Sequence, residues 1–455
     1  MKHLAALWQL FDKDYRNVLL TVGLPMTLQV LLGISLNLVD LWMIGDVGTD
    51  ELAAVGASLR LFSFFAFICF GIGSGFTVYT AQYWGVRDIR NIRRVFGLTV
   101  TSIACLGLFF FSAASFFAEP LLGLFVQEAH VIALSESYLR IMRWTFFCTG
   151  FSFAINISCR AIRRLRPVMI INGLALATNT FLNYGLIFGN FGLPELGIEG
   201  AGWALLIARV FELTTLIIYV YVSKEHPLAG KLKEIFSFDK VLAGKVLRTS
   251  APVIATEASF GLVTFLTFIA FGLVGSSTIA VMQVATIVNE FFMAIFIGLV
   301  NSAAVITGNE LGRGETELAY KHGKMVIGLV IVLGLIISIM ILLLRQPIVY
   351  IYGFYYEASN MFYSVLLVYA VFMIPRMVDY ALVCAMLRAG GDTRFCLIVN
   401  SAALWLISVP FAFISAYFWQ WPLYGVLAMV LLGDAVSGII CFFRFRSKKW
   451  LQKLI

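Results

Sequence analysis

Charge is what this sequence has least of. Only 13% of its 455 residues are Asp, Glu, Lys or Arg and 61% are hydrophobic, against roughly 25% charged and 45–50% apolar in an ordinary soluble domain. Histidine is scarcer still: His3, His130, His226 and His322 are the whole set, and each falls near a terminus, in a loop or at the edge of an apolar stretch. With no HExxH and no GxSxG, the chain lacks the apparatus of an intramembrane protease or acyltransferase, and it reads as a non-enzyme. The seven cysteines (Cys69, Cys105, Cys148, Cys159, Cys384, Cys396 and Cys441) form no CxxC pair and lie in or near the ends of apolar stretches. They read as packing residues, which argues against disulfides and against a structural metal site. A net charge of +8 raises nucleic acid as a partner, but the basic residues fall where membrane topology needs them, beside anionic headgroups.

Long hydrophobic runs are what the chain has in abundance, and its mean hydropathy is +0.92. Blocks of about 20 apolar residues each cross a hydrocarbon core about 30 Å thick as a helix, the form that satisfies backbone polar groups within lipid. Twelve spans are expected, at residues 18–44, 56–83, 96–118, 132–156, 168–190, 197–222, 247–272, 279–305, 323–344, 362–386, 395–418 and 422–443. The fold class expected is an all-α integral membrane protein with the lipid bilayer as its surroundings. Residues 1–17, with Asp12, Lys13, Asp14 and Arg16 and no small-residue cleavage site, do not read as a removable signal peptide.

Charge alternates between loops. Arg87, Arg90, Arg93 and Arg94 follow span 2, and Arg160, Arg163, Arg164 and Arg166 follow span 4. Lys224, Lys231, Lys233, Lys240, Lys245 and Arg248 surround the connection after span 6. The loop after span 1 carries Asp46, Asp50 and Glu51 instead, and that after span 3 carries Glu119 and Glu128. The positive-inside rule then places both termini and every even-numbered loop in the cytoplasm of a multi-pass plasma (inner) membrane protein, and the tail Arg444, Arg446, Lys448, Lys449 and Lys453 agrees.

The chain also matches itself. Shifted by 227, Pro25 falls on Pro252, Gly45 on Gly272, Val47-Gly48 on Val274-Gly275, Ala53 on Ala280, Phe64-Phe65 on Phe291-Phe292, Gly71 on Gly298 and Gly85 on Gly312. Shifted by 228, Arg160-Ala161 falls on Arg388-Ala389, Arg166 on Arg394, Asn172 on Asn400, Pro194 on Pro422 and Gly197 on Gly425. Two homologous six-span halves of the same orientation follow, the parallel-repeat arrangement of some alternating-access transporters. The expected lobes are residues 1–222 and 247–455, with 223–246 as a cytoplasmic linker.

A charge at the bilayer centre costs about 2.5–3.5 kcal/mol on insertion scales, so polar residues inside spans mark candidate sites. Asp40 reads as facing an aqueous cleft, with Asn37 one turn before it, or else as an interfacial carboxylate near the end of span 1. Asn179 and Asn183, spaced i, i+4 on span 5, share a face; they are partners for Asp40 or interhelical hydrogen bonds within the lobe. Glu257 has no basic residue in its own span nearer than Arg248, which makes it the stronger candidate of the second half. Gln283 and Glu290 lie on one face of span 8. Arg376 with Asp379, and Arg209 with Glu212, are i, i+3 pairs that can each neutralise themselves, and the structural reading is favoured for the second. Asp434 ranks lower for want of polar neighbours in its span. A carboxylate in such a setting has raised proton affinity and offers hard oxygens to a small cation, so Na+ at Asp40 or Glu257 and H+ at either are both open. Trp42, Phe260, Phe265, Phe291, Phe292 and Tyr380 flank these sites and can hold an organic cation or simply pack.

LVDLWMIGDVGTDELAAVG, AQYWGVRDIRNIRR, NTFLNYGLIFGNFGLPELGIEGAGWA, LGRGETE and LRAGGDTRF together resemble the multidrug and toxic compound extrusion family, known as MATE, over essentially the entire chain. The resemblance implies two six-helix lobes around a central cleft. It also implies a secondary antiporter that exports organic cations and other xenobiotics in exchange for Na+ or H+, with no other cofactor and a monomer as the expected working unit. Asp40 is similar to the family's span 1 coupling acid, Glu257 to the span 7 acid of the NorM-like branch, and Gln283 to the glutamine of its span 8 motif. Two positions depart: Asn183 stands where the DinF-like branch has an aspartate, and Asp379 lies about half a turn nearer the LRAGG motif than the span 10 acid of the NorM-like branch. The competing transporter reading is a lipid-linked oligosaccharide flippase of the related superfamily, against which twelve spans and acids rather than arginines in the cleft argue.

Overall fold

The computed structural model describes residues 17–454 apart from 124, 126, 127, 224 and 353–355. Among the described residues every regular element is helical and no strand occurs. The first half runs α1 Leu24–Val47, α2 Thr49–Gly85, α3 Ile89–Phe116, α4 Ala118–Leu122, α5 Ala129–Met142, α6 Thr145–Ala161, α7 Arg166–Phe188 and α8 Gly197–Val222. A short α9, Leu232–Ile235, precedes α10 Lys240–Val274, α11 Ser276–Arg313, α12 Thr316–Tyr352, α13 Tyr356–Tyr380, α14 Thr393–Ala402, α15 Val409–Phe413 and α16 Leu423–Arg446. π turns at Leu19–Gly23, Ala381–Leu387, Ala403–Ser408 and Ile414–Phe418 continue these helices.

Nine helices among the described residues are long and apolar enough to cross a membrane. They coincide with nine of the twelve expected spans. The other three have local reasons to fall short. Span 1 is described as an apolar helix only over Leu19–Ser35. Span 5 is α7, whose Asn172, Asn179 and Asn183 dilute its hydropathy. Span 4, expected as one helix over 132–156, is α5 and α6 with a tightened joint: Trp144 N–H donates to Ile141 O at 3.3 Å and Thr145 Oγ1 to Met142 O at 2.6 Å, a 3₁₀-type step between two α-helices. Asp50 and Glu51, expected in a loop, occupy the first turn of α2, where negative charge complements the helix dipole.

Contacts divide the chain into two compact units that do not follow the sequence halves residue for residue. Unit 1 is Met1–Thr27, Ala81–Val86 and Arg248–Ile455; unit 2 is Leu28–Thr80 and Arg87–Leu247. In unit 2, α8 packs on α7 and α5, and α3 on α6. Phe65 fills its core, with ring centroids 5.0 Å from Phe146 and 5.4 Å from Phe110. The lysine-bearing connection is tied to this unit: Arg93 bridges Glu234 at 2.7 Å and donates to Pro227 O, and Tyr79 donates to Lys245 O.

In unit 1, α12 packs on α13 and α13 on α16. The LRAGGD turn after the π turn Ala381–Leu387 is built in from both sides. Gly391 adopts φ +81°, a left-handed conformation that favours glycine. The backbone of Trp450 lies so close to Gly390 that a Cβ there would run into it. Trp450 is fully buried, stacks on Phe445 and donates from Nε1 to Phe445 O at 3.0 Å. Gln82, also fully buried, accepts the N–H of Leu454 at 2.8 Å and donates to Ala389 O and Gln452 O.

Candidate functional site

Each unit carries its own set of buried polar groups. In unit 2 they come from α6, α7 and α8, which lie against one another. Asn179 and Asn183 are both buried on one face of α7, as their spacing requires, and Asn183 Oδ1 meets no hydrogen-bond donor among the described residues. Asn172 donates to Asn156 Oδ1 at 2.8 Å, and Asn156 donates in turn to Ser152 O. Arg209 bridges Glu212 at 2.7 Å, the self-neutralising pair the i, i+3 spacing predicts. Asn37 and Asp40 lie on α1, and their side chains fall outside the described residues, as does that of Gln283 on α11.

In unit 1 the charges pair between helices. Glu257 on α10 accepts from Arg388 Nη1 at 2.9 Å, with the two side chains 13% and 3% exposed. Its apparent isolation came from scanning its own span, whereas the partner arrives from the LRAGG motif. Arg376 makes no ion pair with Asp379, which spacing allowed, although its charge acts on that carboxylate. Its Nε instead lies 3.5 Å from Asp434 Oδ2 on α16 and its Nη1 donates to Asn289 Oδ1 on α11 at 3.2 Å. Asp434, ranked low for want of neighbours, therefore has a basic one. Tyr369, buried, hydrogen-bonds Thr286 beside this group.

Asp379 is left over. Its side chain is buried, with 6% of the residue exposed, and its Oδ1 finds no hydrogen-bond partner among the described residues. Gly438 on α16 makes the room: a Cβ there would meet the Asp379 Cβ at 3.2 Å. Glu290 is exposed on the surface of α11. Among the described residues no three or more His, Cys, Asp or Glu side chains converge as metal ligands do. Among the described residues of unit 1, Asp379 is an enclosed carboxylate with no basic group in ion-pair contact, although the Asp434 and Arg376 charges still act on it.

The model of the MatE family matches residues 25–185 and again 252–414. The chain belongs to this family. It is a multi-pass membrane transporter of the MATE type, and the two matches begin 227 residues apart, the shift at which the chain matches itself. A probable multidrug resistance protein NorM of Bradyrhizobium diazoefficiens is 27% identical over 436 residues, covering 94% of this chain and 92% of its own length. A crystal structure of MATE in complex with MaL6 superposes with a TM-score of 0.86 at 19% identity, covering 95% of this chain and 96% of that one. A MOP superfamily transporter from Pyrococcus furiosus, described as having a binding pocket of reverse polarity and a suggested different function, gives 0.85 at 19% identity and 95% of each chain. These likenesses show the MATE fold.

Sequence reasoning missed Arg388 and Asn289 as partners of the candidate acids. One signal for Arg388 was available, because the duplication sets Arg388-Ala389 on Arg160-Ala161. Nothing in the spacing singled out Asn289.

Proposed function

We propose that this MATE transporter is a secondary antiporter that exports organic cations and other xenobiotics by alternating access, in exchange for H+ or Na+. The observation that carries the reading is Asp379, an enclosed carboxylate whose Oδ1 no hydrogen bond among the described residues satisfies. A buried ionised carboxylate that no ion pair neutralises is costly, so a bound proton or small cation stabilises it. When that cation leaves, the carboxylate favours a positively charged substrate. Competition of ion and substrate for one charge, each favouring a different lobe arrangement, is sufficient for coupling. Asp40 has the matching role in the first half, as the likeness to the family's span 1 acid implies. The protein works as a monomer in the plasma membrane with both termini cytoplasmic.

The test uses proteoliposomes loaded with ethidium under an imposed Na+ gradient or an imposed pH gradient. The expected outcome is efflux driven by one of the two gradients and lost in Asp379→Asn or Asp40→Asn. Efflux under neither gradient, with movement of a lipid-linked oligosaccharide instead, would overturn the reading.

A further inference from the structure

The connection after α8 is drawn in to the membrane edge of unit 2. Arg93 and Arg94, in the first two turns of α3, reach it through Glu234 and Ser237. The carbonyl oxygen of Ile235 lies so close to Gly97 that a Cβ there would run into it, and Gly97 stands where span 3 begins. Farther along, the Tyr79 hydroxyl, about one turn inside span 2, donates to Lys245 O at 3.2 Å. Tyr221, in the last turn of α8, donates to Gly230 O at 3.2 Å. Residues 231–245 are therefore tied to the ends of three spans, at the depth where the hydrocarbon gives way to headgroups, instead of looping out into water.

At that depth the segment turns two chemistries outward. α9 packs on α3 and buries Ile235. Leu232 and Phe236, spaced i, i+4 on one face, are 70% and 46% exposed, and Val241 in the first turn of the membrane-spanning α10 is 66% exposed. Lys231, Lys233, Lys240 and Lys245 are exposed among them. The two acids of the stretch are engaged: Glu234 pairs with Arg93 at 2.7 Å, and Asp239 accepts the Leu242 N–H at 2.7 Å at the head of α10. Lysines alone would be accounted for by topology, and a loop lying in water has no use for a bare leucine and phenylalanine side by side. An apolar pair flanked by ammonium groups suits a segment lying in the interface, with lysine stems over the acyl chains and their heads among phosphates.

We propose that residues 231–241 are a membrane-surface anchor, in which Leu232 and Phe236 enter the acyl boundary while Lys231, Lys233 and Lys240 bind the phosphates of anionic phospholipids. Placing the anchor on the cytoplasmic leaflet rests on the topology given above; the lipid binding does not, and neither depends on the antiport reading.

The experiment measures backbone hydrogen exchange of the full-length protein in nanodiscs of phosphatidylcholine alone and of equal parts phosphatidylcholine and phosphatidylglycerol. Nanodiscs leave both faces open, so the result is independent of orientation. Amides of residues 232–238 should exchange about tenfold more slowly in the anionic bilayer. The difference should shrink as NaCl rises from about 0.05 to 0.5 M, because salt screens charges at the surface. Lys231→Gln/Lys233→Gln/Lys240→Gln should bring the two bilayers to within about twofold of each other, and Leu232→Asn/Phe236→Asn should exchange fast in both. Amides of α5, residues 129–142, serve as the internal reference and should not respond to the lipid in any variant. Equal exchange of 232–238 in the two bilayers overturns the proposal: if fast, the segment lies in water, and if slow, protein covers it. Equal slowing of α5, or protection that survives Leu232→Asn/Phe236→Asn, overturns it as well.

Discussion

At the scale of single residues, His226 shows what burial does to a titratable group outside the spans. Leu228 N–H donates to its Nδ1 at 3.3 Å, which puts the ring proton on Nε2, facing Cys159 Sγ at 3.9 Å. Burial first, and the Arg164 charge second, push the imidazole from 6.5 down to about 4. The unfolded chain therefore takes up this proton near pH 6.5 and the folded chain only near pH 4. In that window the unfolded state binds more protons, so stability is intact above pH 6.5 and declines as pH falls toward 4. Hydrogen exchange at Leu228 and Ala229, corrected for intrinsic rates, should lose protection between pH 7 and about 5 in wild type, a loss that His226→Gln should not show. The Arg209–Glu212 pair makes a second prediction. Glu212→Gln leaves Arg209 uncompensated, and because Arg209 is a quarter exposed the loss of stability should fall at or below the lower end of the ~3–5 kcal/mol typical of a broken buried pair. Thermal unfolding checks it. This pair was legible because both members lie on one helix, where spacing dictates contact. Glu257 with Arg388 and Arg376 with Asp434 join different helices, and no spacing rule along one span reports a partner on another.

Among elements, the LRAGGD turn and the segment carrying Trp450 stand or fall together. Trp450→Ala removes a fully buried indole from between Phe445 and Gly390, and the cost should be about 3–5 kcal/mol, as for other buried tryptophans. The same variant should loosen Arg388, so chemical modification of the Glu257 carboxyl becomes faster. A Tm within a degree of wild type would show that the turn holds itself. Most helices were legible from hydropathy alone, because a block of about 20 apolar residues has few alternatives in lipid. The joint at Arg143–Trp144 was not, since neither residue breaks a helix by its sequence and only the backbone bonding changes. The π turns escaped for the same reason.

For the whole molecule, the duplication was the most informative signal in the sequence, and the twofold family match bears it out. The acids, however, are not duplicated: at the shift of 227, Glu257 falls on Val30 and Asp40 on Thr267. The halves share a scaffold and differ in chemistry, so Asp40→Asn and Asp379→Asn should change the ion dependence of efflux differently, which titration of the driving gradient measures. The grip on Gln82 has a consequence for how the protein is made. Its side chain is buried against Leu454, 372 residues further along the chain. At a synthesis rate of about 5–20 residues per second, the last turn of α2 waits on the order of tens of seconds for its partners. During that interval water at the helix end satisfies the amide, and the Leu454 N–H and the Ala389 and Gln452 carbonyls displace it when those segments are in place.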